Sequence, residues 1–179
     1  MSNKEHSTHC TIIASATHLL VDCLCVCSLY ILAATRNYSD IISAILLYNI
    51  IAFCTQRFTG IIADKVAQKE HLLHTSVVLL ALAVIMTDFC PAHPATPLTA
   101  AILLGAGNSL FHVWGGKETA QTNNNDIVSL GIFVAPGAMG LSIGYLFHSR
   151  QLLYATITLI ALLSTTYTAI DTKEAHVQE

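Results

Sequence analysis

The chain has 179 residues, of which 54% are hydrophobic and 11% charged, and its formal net charge is −3. This composition excludes an ordinary water-soluble globular domain, in which about a quarter of the residues are charged. The sequence has no basic run, which excludes nucleic acid as a partner.

Six apolar stretches occupy most of the chain, and each is long enough to cross the hydrocarbon core of a bilayer, which takes about 20 helical residues. They cover approximately residues 10–34, 39–63, 71–90, 97–118, 127–147 and 151–170. The sequence therefore predicts an all-α integral membrane protein: a single domain over residues 1–179 that forms a bundle of six transmembrane helices in contact with membrane lipid.

The positions of lysine and arginine indicate the orientation of this bundle, because cations are retained on the cytoplasmic side of a membrane. Cations on the side of the amino terminus are Lys4, Lys65, Lys69, Lys117 and Lys173, whereas those on the other side are Arg36 and Arg150. The excess predicts a multi-pass protein of the cytoplasmic (inner) membrane with both termini in the cytoplasm.

The loop between the second and third spans carries a motif, GIIADKVAQK, at residues 60–69. It resembles the loop signature G-x-x-x-D-R/K-x-G-x-R/K of the major facilitator superfamily, with Ala67 in place of the second glycine. A small residue allows helix ends to approach, and the flanking cations anchor at lipid headgroups. The resemblance implies that Gly60, Asp64, Lys65 and Lys69 form a cytoplasmic gating motif.

Two further stretches extend this resemblance. The sequence GAGNSLFHVWGG at residues 105–116 is similar to the fourth helix of the fosmidomycin-resistance branch of the same superfamily. Span five then reads GIFVAPGAMG at residues 131–140, similar to the superfamily pattern G-x-x-x-G-P-x-x-G-G on the fifth helix. From this pattern we expect Gly131, Pro136, Gly137 and Gly140 to serve helix packing, with a kink at the proline.

The resemblance covers only the amino-terminal half of a twelve-helix transporter. A major facilitator protein consists of two six-helix bundles inserted in parallel, with the substrate held between them near the midplane. A half-size member with both termini on one side can pair with a second copy in that geometry. We therefore expect a parallel homodimer, or a heterodimer with a sister half, that moves a small solute by alternating access.

Ionisable side chains inside a bilayer are costly and mark functional positions. Five polar residues fall within the predicted spans: His18, Asp22, Arg57, Asn108 and His112. Because both pairs are spaced i, i+4, His18 with Asp22 and Asn108 with His112 each lie along one helical face. We expect these faces to line a central cavity and to bind the solute or a coupling ion, with Asp22 paired to Arg57 directly or through water.

The chemistry of these residues leaves two solutes open. His18, Asp22 and His112 could hold a divalent transition-metal ion as substrate, through imidazole and carboxylate ligands. Arg57 and protonated histidine could instead bind a small organic anion. No cofactor is predicted with certainty beyond such an ion.

Two other interpretations compete with transport. The polar residues could form a structural network within one bundle, and the chain could then be a non-transporting assembly or accessory subunit of another membrane complex. A membrane enzyme is disfavoured, because the sequence shows no nucleophile–base pair or phosphate-binding loop.

Overall fold

The computed structural model describes residues 3–66 and 68–178, and these residues form helices joined by short connections. Ala67, which replaces the second glycine of the loop motif, lies outside the described residues. The α-helices are α1 (Asn3–Ala33), α2 (Tyr38–Asn49), α3 (Gln56–Ala63), α4 (Glu70–Phe89), α5 (Thr96–Thr122), α6 (Ile127–Leu146) and α7 (Arg150–Gln178).

Six helical segments are long and apolar enough to cross a membrane. They comprise Glu5–Ala33, Tyr38–Ala63, Glu70–Phe89, Thr96–Thr122, Ile127–Leu146 and Arg150–Asp171. The all-helical, multi-pass architecture predicted from the apolar run lengths is thereby confirmed. The first segment begins earlier than residue 10, and the fourth continues past residue 118, since the helices extend beyond the apolar runs into polar turns.

The second span is not one continuous α-helix. A π-helical segment, Ile50–Cys54, separates α2 from α3. This segment packs on Gly105 of α5, where an added Cβ would lie 2.8 Å from the Cβ of Ile51. A π-helical turn widens the backbone locally and is frequent at functional sites. Here it begins two residues after Tyr48, which contacts the buried polar residues described below.

Side-chain caps fix the starts of two helices. Asn37 accepts a hydrogen bond from the backbone N–H of Asp40 at the start of α2, at 2.9 Å. Asp126 accepts from the backbone N–H and the hydroxyl of Ser129 at the start of α6, at 3.0 and 2.9 Å. These bonds hold the pKa of the exposed Asp126 carboxyl below its ordinary value.

Helices α1 and α5 pack against each other at the centre of the bundle. On one side, α4 and α7 contact each other and cover the central pair. On the other side, α2, the π-helical segment and α3 pack on α5, whereas α6 packs mainly on α1. Because α2 and α6 have no extensive contact with each other, a groove remains between them with α1 and α5 at its base.

A cavity of about 210 Å³ occupies part of this groove. Its walls come from α1, α2, the π-helical segment and α6, and its lining residues include Tyr30, Tyr48, Asn49 and Phe53. The cavity is mostly apolar. Its position brings Tyr48 between the groove and the buried polar residues of α1 and α5.

Candidate functional site

The buried polar residues of α1 and α5 meet at one point, which we call the interior cluster: His18, Asp22, Asn108 and His112. Asp22 is 8% exposed, and His18 and Asn108 are more deeply buried. His18 lies one helical turn before Asp22, and its Nε2 is 3.2 Å from Asp22 Oδ2. A carboxylate inside a membrane-spanning helix is therefore in direct contact with an imidazole.

The orientation of His18 is fixed from α6. Its Nδ1 lies 2.9 Å from the backbone carbonyl oxygen of Phe133, and its ring stacks on the Phe133 ring with centroids 4.7 Å apart. Because a carbonyl oxygen only accepts hydrogen bonds, Nδ1 carries the hydrogen and donates it. The lone pair of Nε2 in the neutral ring consequently faces Asp22.

His112 is oriented in the same way from α5. Its Nδ1 donates to the backbone carbonyl oxygen of Asn108 at 2.9 Å, which leaves Nε2 directed at Asp22 Oδ1, 4.0 Å away. The rings of His18 and His112 lie edge to face, with centroids 4.4 Å apart. The side chain of His112 is 17% exposed, so the cluster opens to the surface of the bundle on this side.

Asn108 connects the carboxylate to the groove. Its Nδ2 donates to Asp22 Oδ1 at 3.0 Å and to the Tyr48 hydroxyl at 3.2 Å. Its Oδ1 is buried and has no hydrogen-bond partner. Because Tyr48 also lines the cavity in the groove, a chain of polar contacts runs from that cavity to Asp22.

Gly137 of α6 forms one wall of the interior cluster. A Cβ at this position would lie 2.5 Å from His18 Nε2 and 2.6 Å from Asp22 Oδ2. Only glycine leaves the space beside these two atoms free, and Pro136 precedes it inside the same helix. Glycine is required here because it has no side chain, and not because of its backbone freedom.

Glycine also sets the distance between α1 and α6. A Cβ at Gly140 would overlap the backbone oxygen of Leu19, and one at Gly144 would overlap that of Cys23. The two helices therefore pack backbone against backbone along this face. Gly131 differs, because no other part of the described chain lies within 4 Å of the position its Cβ would take. Packing among the described residues does not require glycine there.

The predicted pairing of Asp22 with Arg57 is wrong in its direct form. Arg57 lies on α3, is exposed and makes no ion pair with Asp22. The carboxylate contacts two imidazoles and an amide instead. The sequence placed Arg57 within the predicted second span, but the direction of its side chain depends on how α3 packs after the π-helical segment.

The loop motif forms two ion pairs with α5, which we call the loop pairs. Asp64 accepts from Lys117 Nζ at 2.9 Å, and Lys69 Nζ lies 3.4 Å from Glu118 Oε2. Lys117 also donates to the carbonyl oxygen of Ala63, at 3.0 Å, and so caps the end of α3. The structure therefore ties Asp64 and Lys69 to the same protomer.

The other two residues of the loop motif lie apart from these pairs. Lys65 is exposed, and no neighbouring helix of the described residues comes within 4 Å of the Cβ position at Gly60. A side chain at Gly60 would therefore have space, whereas the small residue was expected to allow a close approach of helices. Glu118 was missed from the sequence, since it lies at the predicted end of its span, where a carboxylate is unremarkable.

Three side chains of the interior cluster could hold a metal ion together. The ligand atoms of His18, Asp22 and His112 all lie within 4.8 Å of one another. Each histidine already uses its second nitrogen to bond a backbone carbonyl, the arrangement that orients histidine ligands in metal sites. Arg57 does not contribute to this group.

Comparison with known proteins finds no relative of this chain. No protein-family model, curated protein or solved structure matches the chain. The resemblance to the major facilitator superfamily therefore stays a prediction, and the multi-pass helical architecture is what the structure establishes.

Proposed function

We propose that this chain is a half-size, major-facilitator-like transporter that moves a small solute across the inner membrane as a parallel homodimer. The observation that carries the proposal is the interior cluster itself. Four polar side chains converge within membrane-spanning helices, and one of them, His112, is open to the bundle surface. Intramembrane ionisable residues that face a cavity typically mark a solute or ion pathway.

The groove supports passage of a solute to this cluster. Its cavity of about 210 Å³ has Tyr48 in its wall, and Tyr48 contacts Asn108, which in turn contacts Asp22. A solute entering the groove would therefore meet polar groups that lead to the carboxylate. Closing and opening such a groove against a second bundle is the geometry of alternating access.

The exposed position of Arg57 supports a second copy. Large apolar side chains are exposed on α3 and α6, among them Phe58 at 66% and Val134 at 56%, and lipid covers such groups without a partner. Arg57 on α3 is also exposed, and lipid solvates a guanidinium poorly. A partner bundle would give Arg57 a polar environment. With both termini cytoplasmic, two copies insert in parallel.

A reconstituted system tests the proposal. Liposomes containing only this polypeptide are assayed for flux of divalent metals and of small organic anions under an imposed pH gradient. We expect flux of one solute class that is lost with Asp22→Asn. A protein that remains monomeric in mild detergent by native mass spectrometry, and moves no solute, would instead fit a non-transporting assembly subunit.

A further inference from the structure

We infer that His18, Asp22 and His112 bind a divalent transition-metal ion through two Nε2 atoms and a carboxylate oxygen. Its role as the moved solute rests on the proposed function, whereas the binding site does not. The inference starts from the inventory of hydrogen-bond donors and acceptors around Asp22.

Both imidazoles direct a hydrogen-bond acceptor, Nε2, at the Asp22 carboxylate, which is itself an acceptor. Each Nδ1 donates its hydrogen to a backbone carbonyl, so each neutral ring directs the Nε2 lone pair at Asp22. A carboxylate oxygen has no hydrogen to offer in return. A cation placed between these groups would offset this mismatch. A proton on one ring satisfies one such contact, whereas a metal ion satisfies all three ligand atoms at once.

The distances suit an ion with short bonds to nitrogen and oxygen. Tetrahedral Zn²⁺, with bonds of about 2.0–2.1 Å, holds its ligand atoms about 3.3 Å apart. His18 Nε2 and Asp22 Oδ2 are separated by 3.2 Å, and His112 Nε2 is 4.0 Å from Oδ1. Because the ligand atoms of all three residues lie within 4.8 Å of one another, shifts of up to about 1.5 Å complete the set, and His112 has the most exposed side chain of the three.

Neighbouring groups hold the ligands as outer-shell residues do in metal sites. Asn108 fixes one oxygen of Asp22 by a hydrogen bond of 3.0 Å, which leaves the other oxygen to the ion. Gly137 keeps free the space beside His18 Nε2 and Asp22 Oδ2. Three protein ligands leave the fourth coordination position of the ion open on the side where His112 is exposed. Zinc sites of this kind bind water or substrate at the fourth position.

The charge balance separates this ligand from an organic anion. No lysine or arginine of the described residues pairs with Asp22, and Arg57 is exposed elsewhere on the bundle. An anion at the cluster would meet a carboxylate with no lysine or arginine to offset its charge. A divalent metal instead neutralises the carboxylate and uses both imidazoles, a donor set that suits Zn²⁺, Fe²⁺ or Co²⁺ better than Mg²⁺ or Ca²⁺.

The test uses the full chain in mild detergent, with Zn²⁺ titrated by calorimetry and Co²⁺ followed by its ligand-field absorption. We expect one ion for each protomer. Affinity should fall at least about 10-fold in His18→Ala, His112→Ala and Asp22→Asn, and about 10- to 100-fold in Asn108→Ala, which removes an outer-shell bond. His71→Ala is the matched control, because His71 is exposed at the start of α4, and its affinity should be unchanged.

Several outcomes would overturn the inference. One is a wild-type protein that binds neither probe ion. Another is binding that survives all three ligand variants or is lost equally in His71→Ala. Absorption of Co²⁺ in the wild type needs no variant, so a folding defect in a mutant does not remove the test.

Flux measurements keep the two proposals apart. Tight binding of Zn²⁺ without its movement across liposomes would contradict transport of the ion and support the metal site. Movement of an organic anion by a protein that binds no metal would contradict the metal site and support the transport function.

Discussion

Carboxylates of two regions of this molecule, the loop pairs and the interior cluster, have different kinds of partner. In the loop pairs, Asp64 and Glu118 each contact a lysine of the same protomer. In the interior cluster, Asp22 contacts two imidazoles and an amide, and no lysine or arginine of the described residues reaches it. A lysine is a permanent cation and completes an ion pair with its carboxylate. A neutral imidazole leaves the carboxylate able to bind a further cation reversibly. We therefore regard the loop pairs as structural contacts and the interior cluster as the proposed binding site.

The sharpest way to break this comparison is to neutralise one carboxylate from each region. Asp22→Asn should abolish flux in liposomes while the protein still folds, because the amide keeps the size of the side chain and no buried lysine loses a partner. Asp64→Asn should retain flux, since it removes an exposed ion pair on the loop. Flux and assembly that are unchanged in Asp22→Asn would make the interior cluster a structural network.

Helix packing beside the interior cluster offers the next largest effect. Gly140→Ala forces a methyl group onto the Leu19 carbonyl, and overpacking of this kind costs about 1–3 kcal/mol. Gly131→Ala is the matched control in open space, where alanine in a helix gains up to about 1 kcal/mol over glycine. In thermal unfolding in detergent, Gly140→Ala should melt below the wild type and Gly131→Ala at or above it. Equal melting temperatures of the two variants would contradict the packing described for α1 and α6.

Breaking a loop pair should lower stability without touching binding. Lys69→Ala leaves the Glu118 side chain, only 3% exposed, without its lysine, and the loss is about 1–3 kcal/mol for a buried charged group. Zn²⁺ affinity should stay at the wild-type value. Lys65→Ala, at an exposed site, is the control and should change stability by less than about 0.5 kcal/mol. A large fall in Zn²⁺ affinity for Lys69→Ala would show that the two regions are coupled.

The smallest effect concerns the start of α6, away from both regions. The hydrogen bonds from Ser129 lower the pKa of Asp126 in the folded protein. A lowered pKa stabilises the fold above the unfolded-state pKa, and this stabilisation is lost as the pH falls through the folded-state value. Wild type should therefore lose more thermal stability on acidification than Asp126→Asn, which keeps a capping oxygen. Identical pH profiles would contradict the cap.

The sequence was sufficient for the spans and for the polar pairs within one helix. Apolar run length depends only on local composition, and the i, i+4 spacing of His18 with Asp22 follows from helix geometry alone. Contacts between helices, such as His18 with His112 and Asn108 with Tyr48, depend on how α1, α2 and α5 rotate against one another. No single-sequence pattern records that rotation.

Two misses have different origins. Arg57 was expected to pair with Asp22 because both are ionisable residues within predicted spans, but a π-helical segment precedes α3, and no proline or glycine in Ile50–Cys54 announces it. Glu118 lies at the end of the predicted span, where a carboxylate would ordinarily meet headgroups. The extension of α5 to Thr122 instead buries Glu118 beside Lys69.

Anomalous scattering from crystals of the full chain grown with Zn²⁺ tests the central claim most directly. We predict one peak in each protomer about 2.0–2.2 Å from His18 Nε2, His112 Nε2 and a carboxylate oxygen of Asp22, beside a chamber between two parallel copies. A zinc-free cluster in which the imidazoles and Asp22 stay sealed within a lone protomer would contradict the account.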